Sequence, residues 1–210
     1  GAALNTDDLP RLEYAAARSL HLETVAANLH LIKRYRRRDL AAEIAAALPA
    51  PTAARLHEAV GSVLLSKPDW AGAAEQFDRA LGLDLDLVPA RLGRAEARMR
   101  QGMVLGAVED VQAALRLEPG NGAAHAALAQ IYQQQRMLTD AERYFRRAAE
   151  GAAAGANPWA RLGQFYLQTR QYQAAVTAFR EAVRRASDDI ALLVPLGESL
   201  IRAGWSGEAI

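Results

Sequence analysis

Residues 54–210 repeat with a period of 34 and no insertion, and that register limits the fold more than any other feature of the chain. The clearest unit, 156–189, carries Trp159, Leu162, Gly163 and Tyr166, then Ala175, Phe179 and Ala182. One period later stand Leu193, Leu196, Gly197, Leu200 and Ala209. One period earlier stand His125, Leu128, Ala129, Tyr132, Ala141, Phe145 and Ala148. Two periods earlier are Ala95, Ala107, Val111, Ala114 and Pro119, and three earlier Val60, Gly61, Leu64, Ala73, Phe77 and Ala80. The expected units are 54–87, 88–121, 122–155, 156–189 and a partial one at 190–210.

Within each unit the apolar residues recur at three and four, which is one face of a helix. Two such helices and two turns fill 34 positions. Gly61, Ala95, Ala129, Gly163 and Gly197 share one slot, and Ala73, Ala107, Ala141, Ala175 and Ala209 share a second that faces it. Small residues in both let the helices approach, and anything larger than a methyl in the first slot would hold them apart. Pro68-Asp69, Gly102, Pro119-Gly120 and Asn157-Pro158 fall between helices. Asn157 can cap a helix that Pro158 then starts. One hairpin cannot bury its own apolar face, whereas a stack can, and five units exceed the minimum of about three.

The order of a large residue, Leu-Gly, an aromatic, then Ala, an aromatic and Ala resembles the tetratricopeptide repeat over about three quarters of the chain. The resemblance implies an all-α fold, a right-handed superhelical α-solenoid of antiparallel helix hairpins. It also implies a concave groove lined by the first helices, at slots two, five, nine, twelve and thirteen of each unit.

Residues 1–53 are helical in pattern but fit the register badly. Asp8 and Pro10 start one helix, and residues 21–33 and 37–48 read as a second pair. Ala27, Ala46 and Pro51 match the repeat, while Asp39 and Glu43 occupy slots that should be small and aromatic. The segment is either an N-terminal cap or a degenerate repeat. Its turn gathers Lys33, Arg34, Arg36, Arg37 and Arg38 around Tyr35. A patch for phosphate or an acidic tail is one reading; a solvated helix end, where cations oppose the dipole, is the simpler one.

Composition narrows function mainly by exclusion. Acids and bases nearly cancel, 24 against 25, so no bulk charge draws the chain to nucleic acid or an anionic membrane. Cysteine is absent, which removes disulfides and thiolate metal sites. No apolar run is long enough to span a bilayer, and no secretory signal is visible. Apolar residues make up 51% but aromatics only 6%, so alanine and leucine build the core. Only Lys33 and Lys67 are lysines among the 25 bases, a bias that reads as bacterial. The chain starts at Gly1 without a methionine and stops at Ile210 inside a helical pattern, so it is expected to be a piece of a longer protein. Trp205 and Ile210 would make a poor terminal cap.

No residue set carries recognisable catalysis. His21, His30, His57 and His125 show no zinc-ligand spacing, and His125 occupies the packing slot of Trp159. No nucleophile-elbow, Walker A or dinucleotide-binding motif is present. Asp7-Asp8, Asp84-Asp86 and Asp188-Asp189 fall at helix ends, as caps and dipole partners. No catalytic residue, metal or cofactor is therefore expected.

The groove slots read Arg55, Glu58, Ser62, Leu65 and Ser66, then Pro89, Leu92, Glu96, Met99 and Arg100. Next come Ala123, Ala126, Gln130, Gln133 and Gln134, then Asn157, Ala160, Gln164, Leu167 and Gln168, then Ala191, Val194, Glu198, Ile201 and Arg202. One tetratricopeptide subset binds chaperone C-terminal carboxylates with lysines and asparagines here. Glu58, Ser62, Gln130 and Gln164 stand instead, which disfavours that clamp. Gln130 should stack on Gln164 and Gln134 on Gln168. An amide both donates and accepts, which suits an extended backbone, and the alanines at 123, 126 and 160 leave it room. Residues 122–168, with Gln130, Gln133, Gln134, Asn157, Gln164 and Gln168, are the expected binding floor.

Arg91, Arg94 and Arg98 take slots held by Trp159, Leu162 and Tyr166 in the best unit. Buried unpaired, each would cost several kcal/mol. They must snorkel or pair with Glu75, Asp78, Glu109 or Asp110, or else form a secondary docking stripe. Pro195 lies inside the helix expected from Ile190 and should delay or kink it. The expected function is a non-catalytic protein–protein interaction scaffold holding a peptide or partner helix, in a bacterial envelope assembly or secretion complex by analogy of fold. The alternative is a targeting module of a larger enzyme such as a transferase. Neither reading involves nucleic acid or membrane insertion. The compartment is left open between cytoplasm and periplasm.

Overall fold

The computed structural model describes residues 45–46, 48–151 and 155–204. The expected N-terminal helices up to residue 44, with the basic turn at Lys33–Arg38, Asp39, Glu43, His21 and His30, lie outside the described residues. So do Trp205, Ala209 and Ile210.

All regular structure among the described residues is helical. α1 (Ala50–Leu65) and α2 (Trp70–Leu83) form one hairpin, and α3 (Val88–Arg100) and α4 (Val104–Leu117) the next. α5 (Gly122–Gln134) and α6 (Leu138–Glu150), then α7 (Ala156–Gln168) and α8 (Tyr172–Arg185), form two more. A 3-10 turn (Ile190–Leu192) leads into α9 (Leu193–Arg202). The late start of α9 fits Pro195, which is tolerated in a first turn because N–H groups there lack helical partners anyway. α1 starts at Ala50, with Pro51 in its first turn for the same reason.

The turn inside each hairpin is built one way. One register position has a positive φ throughout: Pro68 (25°), Gly102 (78°), Arg136 (61°), Arg170 (61°) and Gly204 (84°). In four hairpins the next N–H closes back onto the helix: Met103 onto Arg98 O at 2.8 Å, Met137 onto Tyr132 O at 2.9 Å, Gln171 onto Tyr166 O at 2.8 Å and, after Pro68, Asp69 onto Leu64 O at 3.2 Å. These are Schellman closures, which satisfy orphan carbonyls and reverse the chain. Side-chain caps are fewer. Asp69 accepts from Gly72 N at 3.1 Å, Asn121 from Ala124 N at 2.9 Å, and Asp189 from Ala191 N at 3.0 Å.

Two acid and cap expectations need correction. Asp84 is the C-cap of α2 through its backbone N–H, but its carboxylate accepts from Asp86 N at 3.0 Å, closing a local turn, and caps no helix start. Asn157 is inside α7, whose N-cap is Gly155, and makes no cap hydrogen bond. Pro158 does not force the helix to start beside it, because any first-turn position can dispense with its N–H.

The chain divides into two compact units, one ending at Leu117 and the other beginning at Glu118. In the first, each hairpin packs internally and α2 packs on α3. Its core gathers Ala73, Phe77, Ala80, Leu81, Ala90 and Ala97. Phe77 is fully buried, worth about 2–3 kcal/mol of apolar burial. In the second, α6 packs on α7 and α8 on α9. Phe145, Leu162, Phe165, Tyr166 and Phe179 fill its core against Ala129, Ala141 and Ala175.

The small-residue slot is tighter than the sequence suggests. At Gly61 an added Cβ would stand 2.8 Å from Phe77 Cε1, and at Gly163 2.8 Å from Phe179 Cε2, so even a methyl is too much there. At Gly197 an added Cβ meets no heavy atom within 4 Å, and Ala209, its expected facing residue, lies outside the described residues.

Candidate functional site

Three of the six expected floor residues come from α5 and three from α7. Gln130, Gln134, Asn157, Gln164 and Gln168 are exposed, and Gln133 is half-buried. Gln133 Nε2 donates to Gln168 Oε1 at 2.6 Å, joining the last turns of α5 and α7. The amide partner of Gln168 is thus Gln133 and not the expected Gln134. One residue turns a side chain by roughly 100° around a helix, enough to send Gln134 to solvent while Gln133 meets the next hairpin. Of the alanines expected to leave room, Ala123 is exposed, Ala160 packs against the core, and Ala126 is buried. Further along the same unit, Val194 and Ile201 are exposed at 75% and 63%, and Arg202 Nε donates to Glu198 Oε1 at 2.9 Å.

The arginine stripe in the first unit is paired from inside. Arg94 forks onto Asp110, Nε to Oδ2 at 3.0 Å and Nη2 to Oδ1 at 2.5 Å, and its Nη1 reaches Asp78 Oδ1 at 2.6 Å. Arg98 Nη1 donates to Asp110 Oδ2 at 2.8 Å and to Gly106 O at 3.2 Å. Arg91 turns back to donate Nε and Nη2 to Leu85 O. Asp110 is buried, so a single carboxylate between α3 and α4 holds two guanidiniums. The other two candidate acids are not involved: Glu75 pairs with Arg79 at 2.7 Å, and Glu109 is exposed.

The described histidines act in packing. His57 Nδ1 donates to Gln76 Oε1 at 2.8 Å, both buried. His125 Nε2 donates to Pro119 O at 3.0 Å, and its ring lies 5.9 Å from Tyr144, centroid to centroid. Burial, and secondarily the Arg147 charge, lowers the pKa of His125 although the Pro119 bond opposes them. Its Nδ1, and Nε1 of Trp159 in the same slot one period on, are buried without partners among the described residues. Among those residues no three of His, Cys, Asp and Glu gather as a metal site. No described helix is long and apolar enough to cross a membrane.

Residues 92–158 and 156–189 each match a model described as tetratricopeptide repeat. The chain carries tetratricopeptide repeats. Tetratricopeptide repeat protein 36 of Homo sapiens is 35% identical over 99 residues, covering 44% of this chain and 51% of that protein. Its Mus musculus counterpart is 38% identical over 88 residues, covering 39% and 46%. The chain thus spans about half the length of the curated relatives it matches. Among solved structures, pilF of Pseudomonas aeruginosa superposes with a TM-score of 0.69 at 13% identity, over 96% of this chain and 88% of that one. A thermophilic TPR protein of Thermus thermophilus gives 0.66 at 14%, over 84% and 99%. YrrB, described as a TPR protein with an unusual peptide-binding site, gives 0.53 at 18%, over 75% and 81%. At these identities the likeness to the solved structures is one of fold.

Proposed function

We propose that this tetratricopeptide repeat segment is a non-catalytic scaffold that holds an extended peptide of a partner protein along α5 and α7. The observation that supports it is the exposed amide row, with Gln130 and Gln164 open to solvent and Gln133 bonded to Gln168 at its end. Amides can donate to and accept from an extended backbone without a charged partner. Exposed Val194 and Ile201 would take an apolar side chain of the same peptide. The peptide-binding description of YrrB fits this use of the fold.

Panning a displayed library of linear peptides on the whole chain tests the reading. Selected peptides should lose at least ~10-fold in affinity, about 1.4 kcal/mol, when Gln130, Gln134, Gln164 and Gln168 are all changed to glutamate. Undiminished binding by that variant would remove the peptide from this face.

A further inference from the structure

The turn position with positive φ takes glycine at Gly102 and Gly204 and proline at Pro68 (φ 25°), but arginine at Arg136 and Arg170 (φ 61° each). A non-glycine residue is strained there, and strain kept at a surface position points to use of its side chain. Both arginines are exposed, and neither guanidinium has an ion pair or hydrogen bond among the described residues. Most other arginines of this unit are engaged: Arg143 with Asp140, Arg146 with Glu142, Arg184 with Glu181, Arg202 with Glu198. The acid nearest Arg136 in the chain, Asp140, is paired with Arg143, and no acid occurs in 164–180 around Arg170. The Gln133–Gln168 bond ties together the helix ends that precede them, which puts both on one edge. Exposed Gln135 and Gln171 flank them with further donors.

We propose that this turn edge is a docking surface for an acidic segment of a partner protein, its carboxylates held by the guanidiniums of Arg136 and Arg170. A guanidinium matches a carboxylate with two parallel N–H donors, so two arginines one repeat apart select an acidic side chain at each of two points along a chain. Nucleic acid fits less well. Over residues 118–204 there are ten arginines against eight acids, a net of +2, without the broad basic face that a phosphate backbone needs. The docking edge does not require a peptide along Gln130 and Gln164.

Fluorescence anisotropy of the whole chain with labelled deca-glutamate, and with deca-glutamine as the neutral probe, tests this. The expected result is salt-sensitive binding of deca-glutamate alone. It should weaken at least ~10-fold in Arg136→Gly/Arg170→Gly, the affinity carried by charge-assisted pairs at two points. Glycine suits the turn, so that variant keeps the fold, which its thermal melt verifies. Arg143→Ala/Arg184→Ala removes two paired charges from the same unit and should bind like the parent. Three results would overturn the proposal: equal binding by the glycine variant, an equal loss in the alanine variant, or displacement of deca-glutamate by an oligo-dT strand that binds more tightly.

Discussion

The ring of Phe77 fills the space a Cβ would need on Gly93. A methyl at that position would lie 2.5 Å from Cε1 and closer still to Cζ. The same ring presses on Gly61, so one phenylalanine of α2 is held between a glycine of α1 and a glycine of α3. Phe77 is completely buried and has no free direction in which to retreat. Gly93→Ala should therefore destabilise the first unit by about 1–3 kcal/mol, although alanine is the better helix former. Urea unfolding measures the loss, and shortening the ring with Phe77→Leu should recover part of it in a double-mutant cycle. A neutral Gly93→Ala would mean that α3 can back away from α2.

Asp110 sets a second expectation. Removing its charge as Asp110→Asn leaves Arg94 and Arg98 facing each other with one exposed acid, Asp78, to share. The loss should be about 3 kcal/mol, whereas Asp78→Asn, at an exposed arm, should cost under about 1 kcal/mol. The triple change Arg94→Leu, Arg98→Tyr, Asp110→Ala imports the residues of the same slots at Leu162, Tyr166 and Ala178. It should be at least as stable as the parent, because apolar replacement of a buried ion network is often neutral or favourable. Thermal unfolding of the three variants distinguishes a network that stabilises from one that is only tolerated.

How far the sequence could be read follows from what each residue answers to. Phe77, Phe145 and Phe179 were legible because burying an aromatic against a small residue must recur wherever the hairpin recurs. That Arg94 needed an acid was legible because a buried guanidinium demands one within reach; that Asp78 and Asp110 supply it, and Glu75 and Glu109 do not, was left to the packing of α2 and α4 on α3. Gly93 was not, since its counterparts one period either way are Ala59 and Ala127, and only the approach of α3 to Phe77 singles it out. Arg136 and Arg170 were missed as turn residues because arginine carries no left-handed preference; alignment with Gly102 in the 34-residue register was the available signal. The exchange of Gln134 for Gln133 shows that a period places a residue on a turn of helix but leaves its bearing around the axis to packing. The start of α7 at Ala156 shows the same for caps, which any of several first-turn residues can displace.

The arginine turns carry a stability expectation apart from any ligand. A left-handed non-glycine residue costs about 1 kcal/mol, partly offset by glycine's greater freedom when unfolded. Arg136→Gly and Arg170→Gly should each raise stability by about 0.5 kcal/mol, and Gly102→Arg should lower it by a similar or larger amount. Chemical denaturation of the single variants reads both signs.

His125 gives the chain a pH dependence whose direction is fixed by its surroundings. Burial lowers its pKa in the folded state, so the unfolded chain binds its proton more readily. Stability from this group is complete above the unfolded value, about 6.5, and is lost as pH falls from there through the lowered folded value. Of the groups facing the ring, Pro119 O, which accepts from Nε2, favours the imidazolium and offsets part of the burial effect; Arg147 repels it, Tyr144 supplies no charge, and Nδ1 would carry a buried proton with no acceptor among the described residues. The urea midpoint should therefore fall between pH 7.5 and pH 5. His125→Trp places in α5 the residue that α7 holds in this slot, Trp159, and should flatten part of that fall. If parent and variant lose stability in parallel, the titration that matters belongs to another group, and the buried Nδ1 has found an acceptor when protonated.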